Sequence, residues 1–375
     1  MKTREKLFSE NTINTGRQNE FDWAKSFTIL VMVVVHTYEM MGAYDPEATP
    51  LTGPFRIILE FLAGPTGAPL FMFSMGIGLI YSRNTLPRKM FIRGGKLMRN
   101  GYLLSFFKGT LPLLILTYVM GVSHNYSIPE NFFGVSILQF AGMAFFTIAL
   151  MKIGRFPLPL MLAVSIATSI AGTWLAQASV PEWPGYFLGL LFVTNDSVSF
   201  PLMTWLFYPV AGMIFASVLQ HVTDKGRFYR WCFLIGAGGA ALTCIVYKLA
   251  GLNIMTYFQL YERTFYHQTI LHYIFTTFVI LLAMAVYYLC SELVKAKAVT
   301  TVVSFLGRNL DVIYIVQWIV VCYVTIAVTL TGVGPFDWKG ILVVGFILTI
   351  VSCMITSLYL RWRGRRKSKK RISTN

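Results

Sequence analysis

The sequence predicts an all-α fold, a polytopic helix bundle integral to a membrane, on three observations. Of 375 residues, 55% are hydrophobic and only 13% are charged, whereas soluble domains carry about 25% charged residues. The mean hydropathy is +0.61, and it is spread over many long apolar runs, not over one terminal run. The cations, finally, collect between alternate runs, the pattern of membrane topology. An ordinary soluble enzyme is excluded. So is a soluble domain behind a cleaved leader, because Met1 to Glu20 is polar and no signal peptide is expected there.

A membrane-crossing helix needs about 20 apolar residues. About ten transmembrane helices are expected, over 22–43, 57–82, 97–119, 133–151, 156–176, 202–220, 231–250, 268–290, 304–330 and 339–360. The third run is interrupted by Lys108, and the ninth is long enough to tilt or break. Three regions follow: an N-terminal segment 1–21, a transmembrane domain 22–360 and a basic tail 361–375. The formal charge of +16 is read as topology and contact with membrane lipids, with no nucleic acid as partner. Arg83, Arg88, Lys89, Arg93, Lys96 and Arg99 share one side with the N-terminal cations and the tail. The opposite side holds few, Arg56, Lys248, Arg263 and Lys339. Both termini are therefore expected in the cytoplasm. A bacterial inner membrane is the expected location, and an oligomer is left open.

Ionisable residues inside a span are costly, and each is a candidate for function. The first run, FDWAKSFTILVMVVVHTYEMM, holds most of them. At 100° per residue Asp22, Lys25 and His36 share one stripe with Ile29, Val33 and Met40. Lys25 and His36 are eleven residues apart, roughly 16 Å along the axis. A cation at the mouth, an apolar strip and an imidazole at depth suit an elongated donor with a phosphate head and a reactive tip. The alternative is that Lys25 reaches the headgroups and pairs with Asp22 while His36 is a core histidine. Glu39, one turn on, either orients His36 or faces water.

Small residues at Gly64, Gly67, Ala68, Ser74, Gly76 and Gly78 suit close helix packing or leave room for a ligand. In the following basic loop, Arg93 and Arg99 lie nearest the spans and are the candidates for holding phosphate, against topology and lipid contact alone. In FLGRNLDVIYIVQW, Arg308 and Asp311 either pair locally or line a cavity with Lys25, and Asn309 and Gln317 are supporting candidates beside them. The aromatic segment Tyr257 to Tyr266 suits a sugar or an interfacial belt. His124, His267 and His272 lack metal-ligand spacing, and no metal is expected. The five cysteines form no CxxC pair and read as small packing residues. There is no Walker loop, G-x-S-x-G or HExxH, so those chemistries have no support.

The first run resembles the opening of the transmembrane acyltransferases, D-x-x-R-G followed by a histidine eleven residues after the arginine. Here the pattern reads Asp22, Lys25, Ser26 and His36, with Lys in place of Arg and Ser in place of Gly. GAPLFMFSMGIGLIYS, followed by Arg88, Phe91, Arg93 and Gly94, is similar to the branch containing heparan-alpha-glucosaminide N-acetyltransferase and its bacterial relatives. GVSILQFAGMAFF, FPLMTWLFYPVAGMIFA and FLGRNLDVIYIVQW extend the likeness over most of the chain. The resemblance implies an acyl-CoA donor, acetyl-CoA in the first instance, entering from the cytoplasm as co-substrate. It implies an acceptor, a carbohydrate or glycan, on the outer side. His36 would be the catalytic imidazole, Lys25, Arg93 and Arg308 would hold donor phosphates, and Asp22 would hold Lys25. The rival readings are a transporter lined by Lys25, His36 and Arg308, and a non-catalytic scaffold.

Overall fold

The computed structural model describes residues 6–42, 53–82, 85–119, 121, 127–260 and 263–372, with side chains as far as Arg365. Lys2, Arg4, Arg83, His124 and Tyr261 lie outside the described residues, as do the side chains of the last tail cations.

The fold is all-α and polytopic. The ten apolar runs all fall on helices: α1 Asn19–Met41, α2 Pro54–Ala63, α3 Ala68–Tyr81, α4 Pro87–Val119, α5 Ile137–Ile153 and α6 Leu158–Leu175. They continue with α7 Leu202–Gln220, α8 Lys225–Leu249, α9 Ile270–Leu293, α10 Lys297–Arg308, α11 Leu310–Thr331 and α12 Trp338–Ile372. Among the described residues, eight helical segments are long and apolar enough to cross a membrane. α5 is shorter, at 17 residues, and α1 carries Glu20, Asp22 and Lys25 in its first turns.

Three runs differ in detail from the sequence reading. The second is two helices, α2 and α3, separated at Gly64–Gly67. The third starts at Pro87, not near residue 97. Proline suits a first helical turn, and so the expected loop of cations is a helix. The ninth breaks at Asn309, whose Nδ2 donates to the Phe305 carbonyl at 2.8 Å. The break leaves α10 as an amphipathic helix ahead of the apolar α11.

Without a strong hydrophobic drive between helices in lipid, close approach rests on small residues. α3 and α7 cross where a Cβ on Gly76 would strike the Pro209 carbonyl, and one on Gly212 the Phe73 carbonyl. α4 and α5 meet at Gly94 and Gly142. α1 is the hub, packed against α3, α9, α10, α11 and α12. At its start, Gly307 of α10 lies so close that an added Cβ would sit 3.0 Å from the Cα of Asp22. The segment before α1 is tied to the turn after α7. Ser9 N–H donates to the His221 carbonyl at 2.8 Å, and Asn14 Nδ2 to the Leu219 carbonyl at 3.0 Å. Glu20 is buried between Lys225 and the Tyr229 hydroxyl. At its far end the Met41 carbonyl accepts the Phe336 N–H at 2.9 Å, so the helix carrying Lys25 and His36 is held at both ends and on several faces.

Candidate functional site

A cavity of about 910 Å³ opens at the end of the bundle where α1 begins. α1 contributes Lys25; α4 contributes Arg93, Lys96 and Arg99; the α10–α11 break contributes Arg308 and Asp311; α12 contributes Arg363. Six cations therefore face one carboxylate. Among the described residues none of the six is in an ion pair. The Arg93 guanidinium lies 4.9 Å from the centre of the Phe145 ring, itself part of the wall. Lys25 and Arg93 are electrostatic neighbours. A cation-rich hollow of this size is suited to a cofactor-sized polyanion.

Asp22 does not hold Lys25 in direct contact. Its carboxylate accepts from Arg17 Nε at 2.9 Å, and Arg17 Nη2 also reaches Ser304 Oγ at 2.9 Å. Asp22 acts on Lys25 only through its field. Arg17 thereby links the approach to α1 with α10 and leaves Lys25 to the cavity. Arg308 and Asp311 do not pair. Asp311 Oδ1 instead accepts the Val312 N–H at 3.0 Å, at the start of α11.

Deeper, the cavity wall is apolar, with Leu103 and Phe107 on α4, Phe71 on α3, and Ile315 and Ile319 on α11. From Asp311 to Ile319 the wall follows α11 for roughly 12 Å at 1.5 Å per residue. Gly78 and Ser74 line it on the α3 side, and a Cβ on Gly78 would meet no atom within 4 Å. The small residues of this run thus divide. Gly76 is packing, and Gly78 leaves space.

His36 is not among the residues that line this cavity. It sits one aromatic layer behind it. Phe71 contacts the Tyr314 ring, which meets His36 edge-on at 6.3 Å between centroids. His36 stacks on Trp318 at 3.8 Å. Its Nδ1 lies 3.1 Å from Gln317 Oε1 and 2.9 Å from Gln317 Nε2. A bond from Nδ1–H to Oε1 would leave the ring Nε2 as the basic nitrogen, and a bond from the amide N–H to Nδ1 would leave the proton on the ring Nε2. Gln317 is a hydrogen-bond partner of the imidazole.

Two residues of this layer were not singled out from the sequence as site residues, Lys108 and Trp318. The Lys108 Nζ lies 3.8 Å from the Trp318 ring centre, so the ammonium and the imidazole rest against one indole. Lys108 also interacts electrostatically with His36 and Glu39. It lies in a π-helical stretch of α4, Phe106–Thr110, and such bulges concentrate at functional sites. The signal was present in the sequence, as a lone cation inside an apolar run.

Beyond His36 the charges are balanced. Arg56 Nε bonds Glu60 Oε1 at 3.1 Å, and Tyr38 donates to the same oxygen at 3.3 Å. Arg263, in a left-handed backbone conformation at φ 57°, interacts with Glu39 and lies 4.8 Å from the Tyr266 ring. Burial first, then the field of Arg263, hold His267 below its ordinary range, so it stays neutral near pH 7. The aromatic segment packs inward. Phe258 and Phe265 are buried, and Tyr257 lies edge-on to His272.

The fold and site together define a polytopic membrane protein with a cation-lined cavity at one end and an imidazole behind its apolar wall. Residues 18–358 match the family described as an acyltransferase domain, and the chain belongs to that family. It is a membrane acyltransferase. A search of curated proteins returned no match.

Proposed function

We propose that the protein moves an acyl group, acetyl in the first instance, from acyl-CoA to a carbohydrate or glycan acceptor. The carrying observation is the basic cavity, where six cations face a single carboxylate and the apolar wall leads towards Trp318 and His36. A ligand with several phosphates and a long, less polar arm complements both parts. The cation bias supports placing this end, and both termini, in the cytoplasm. The donor then enters from the cytoplasm, and the acceptor meets it from the Glu39 end. The motif likeness supports kinship with the heparan-alpha-glucosaminide N-acetyltransferase branch and a bacterial inner membrane.

In this reading Lys25, Arg93, Arg99 and Arg308 hold donor phosphates. His36 Nε2 takes the proton of the acceptor hydroxyl or amine as its oxygen or nitrogen attacks the thioester carbonyl. The new C–O or C–N bond forms, the C–S bond breaks, and the imidazolium returns the proton to the leaving thiolate. Lys108 stabilises the negative charge that develops on the carbonyl oxygen. Asn309 and Asp311 shape the α10–α11 break, and Gln317 fixes the tautomer of His36.

The test is calorimetric titration of acetyl-CoA into the detergent-purified full chain, with uptake assayed in parallel. Micromolar binding that weakens on Lys25→Ala is expected. A folded protein that binds no acyl-CoA, or that transports solute without any dependence on CoA, overturns the proposal.

A further inference from the structure

The tail cations read in the sequence as topology and lipid contact, but one of them belongs to the cavity. Arg361, Arg363 and Arg365 are all exposed on α12, and only Arg363 lines the hollow. Helix geometry explains the selection. Arg361 and Arg365 each stand 200° from Arg363, on the other side of the helix, whereas Tyr359 is only 40° away, one turn earlier. Tyr359 lines the same hollow and is 42% exposed. α12 therefore presents an aromatic face and a guanidinium, one turn apart, across from the cations of α1, α4 and the α10–α11 break.

We infer that Tyr359 and Arg363 form a subsite for the phosphorylated adenosine end of a nucleotide carrier, the purine against Tyr359 and the ribose phosphate on Arg363. The inference rests on the acyl-CoA reading and deepens it. Lys25 and Arg93 are electrostatic neighbours on the facing helices and supply one cationic position. Arg363 supplies another, on a different element and beside an exposed ring. Cationic positions on different elements of one cavity suit a ligand with phosphate at two places, and a planar base stacks well on a tyrosine. The planar guanidinium matches a terminal phosphate bidentately. A lipid headgroup offers phosphate but no purine.

The experiment compares CoA with 3′-dephospho-CoA by calorimetry on the full chain. Wild type is expected to prefer CoA by about tenfold, one charge-assisted contact. Arg363→Gln should lower CoA affinity to that of 3′-dephospho-CoA and leave the latter unchanged. Tyr359→Leu should weaken both nucleotides by a similar factor, and Arg365→Gln should change neither. A CoA preference that survives Arg363→Gln overturns the inference and leaves the donor reading standing. Wild type that binds neither nucleotide overturns both. A third arm measures retention of phosphatidylglycerol in nanodiscs. If Arg363→Gln alters lipid retention and not the nucleotide preference, the subsite belongs to lipid phosphate and the inference fails.

Discussion

The two ends of the stripe on α1 are built on opposite electrostatic plans. Among the residues that line the hollow at Lys25 the cations outnumber carboxylates six to one and make no ion pairs among the described residues, the Arg17–Asp22 pair standing outside the lining. Around Glu39 each charge has an opposite neighbour, Arg56 with Glu60, Lys108 with Glu39, and Arg263 with Glu39 and Asp196. An unbalanced cluster gains most from a ligand that supplies the missing charge. A balanced one is already neutralised and serves to fix positions. His36 sits at the boundary, stacked on Trp318 and bonded to Gln317. The lesson is a division of labour, with binding at one end and alignment at the other.

The sharpest way to break that division is to substitute both ends of the stripe and read transfer and binding separately. His36→Ala should lower label transfer from acetyl-CoA into outer-face glycan of membrane vesicles by about 10³-fold, the scale of a lost general base. Its acetyl-CoA affinity should stay within about twofold of wild type, because truncating a residue that makes no ground-state contact with the donor costs little binding. Lys25→Ala should do the reverse, weakening the donor about tenfold through one lost charge contact. Equal losses of affinity in both variants would mean that the two ends form one binding site.

Lys108→Met tests whether the cation in the π-helical stretch belongs with alignment or with binding. The substitution keeps length and apolar stem and removes the charge. Transfer should fall by about 10²-fold, the cost of one lost donor to a developing oxyanion. Donor affinity should hold, because Lys108 does not line the cavity. Lys108→Arg should recover part of the rate. A variant with normal transfer would reduce Lys108 to a packing cation.

Much of this was legible in the sequence, for identifiable reasons. Helix positions follow from the length of apolar runs, and all ten runs fall on helices. The stripe of Asp22, Lys25 and His36 follows from helical period. Arg93, Arg99, Arg308 and Asp311 do line one cavity with Lys25. What escaped were relations between helices. Period alone cannot place Gln317 of α11 at His36, because the two are 281 residues apart. It cannot tell that Arg17, outside the apolar run, occupies Asp22. Nor can it separate Arg363 from its neighbours in a basic tail. The start of α4 was missed because a segment dense in cations resembles a loop by composition, although Pro87 marks a helix start.

The smallest expected effects come from two glycines two residues apart on α3, which carry the same comparison down to a single Cβ. At Gly76 an added Cβ would strike the Pro209 carbonyl, so Gly76→Ala must push α3 away from α7. Overpacking of this kind costs about 1–3 kcal/mol and should appear as a lower melting temperature in detergent, with donor affinity falling only as the fold loosens. At Gly78 the Cβ meets nothing within 4 Å and points into the space that the donor would fill. Gly78→Ala should leave stability and affinity near wild type. Gly78→Leu should leave the melting temperature near wild type and weaken acetyl-CoA by roughly tenfold or less, since a side chain replaces ligand contacts of about 1 kcal/mol. Should Gly78→Leu instead unfold the protein while Gly76→Ala leaves it intact, packing and space would have been assigned to the wrong faces of α3. The basic hollow would then owe its depth to loose packing between α3 and α4, not to a site shaped for a ligand.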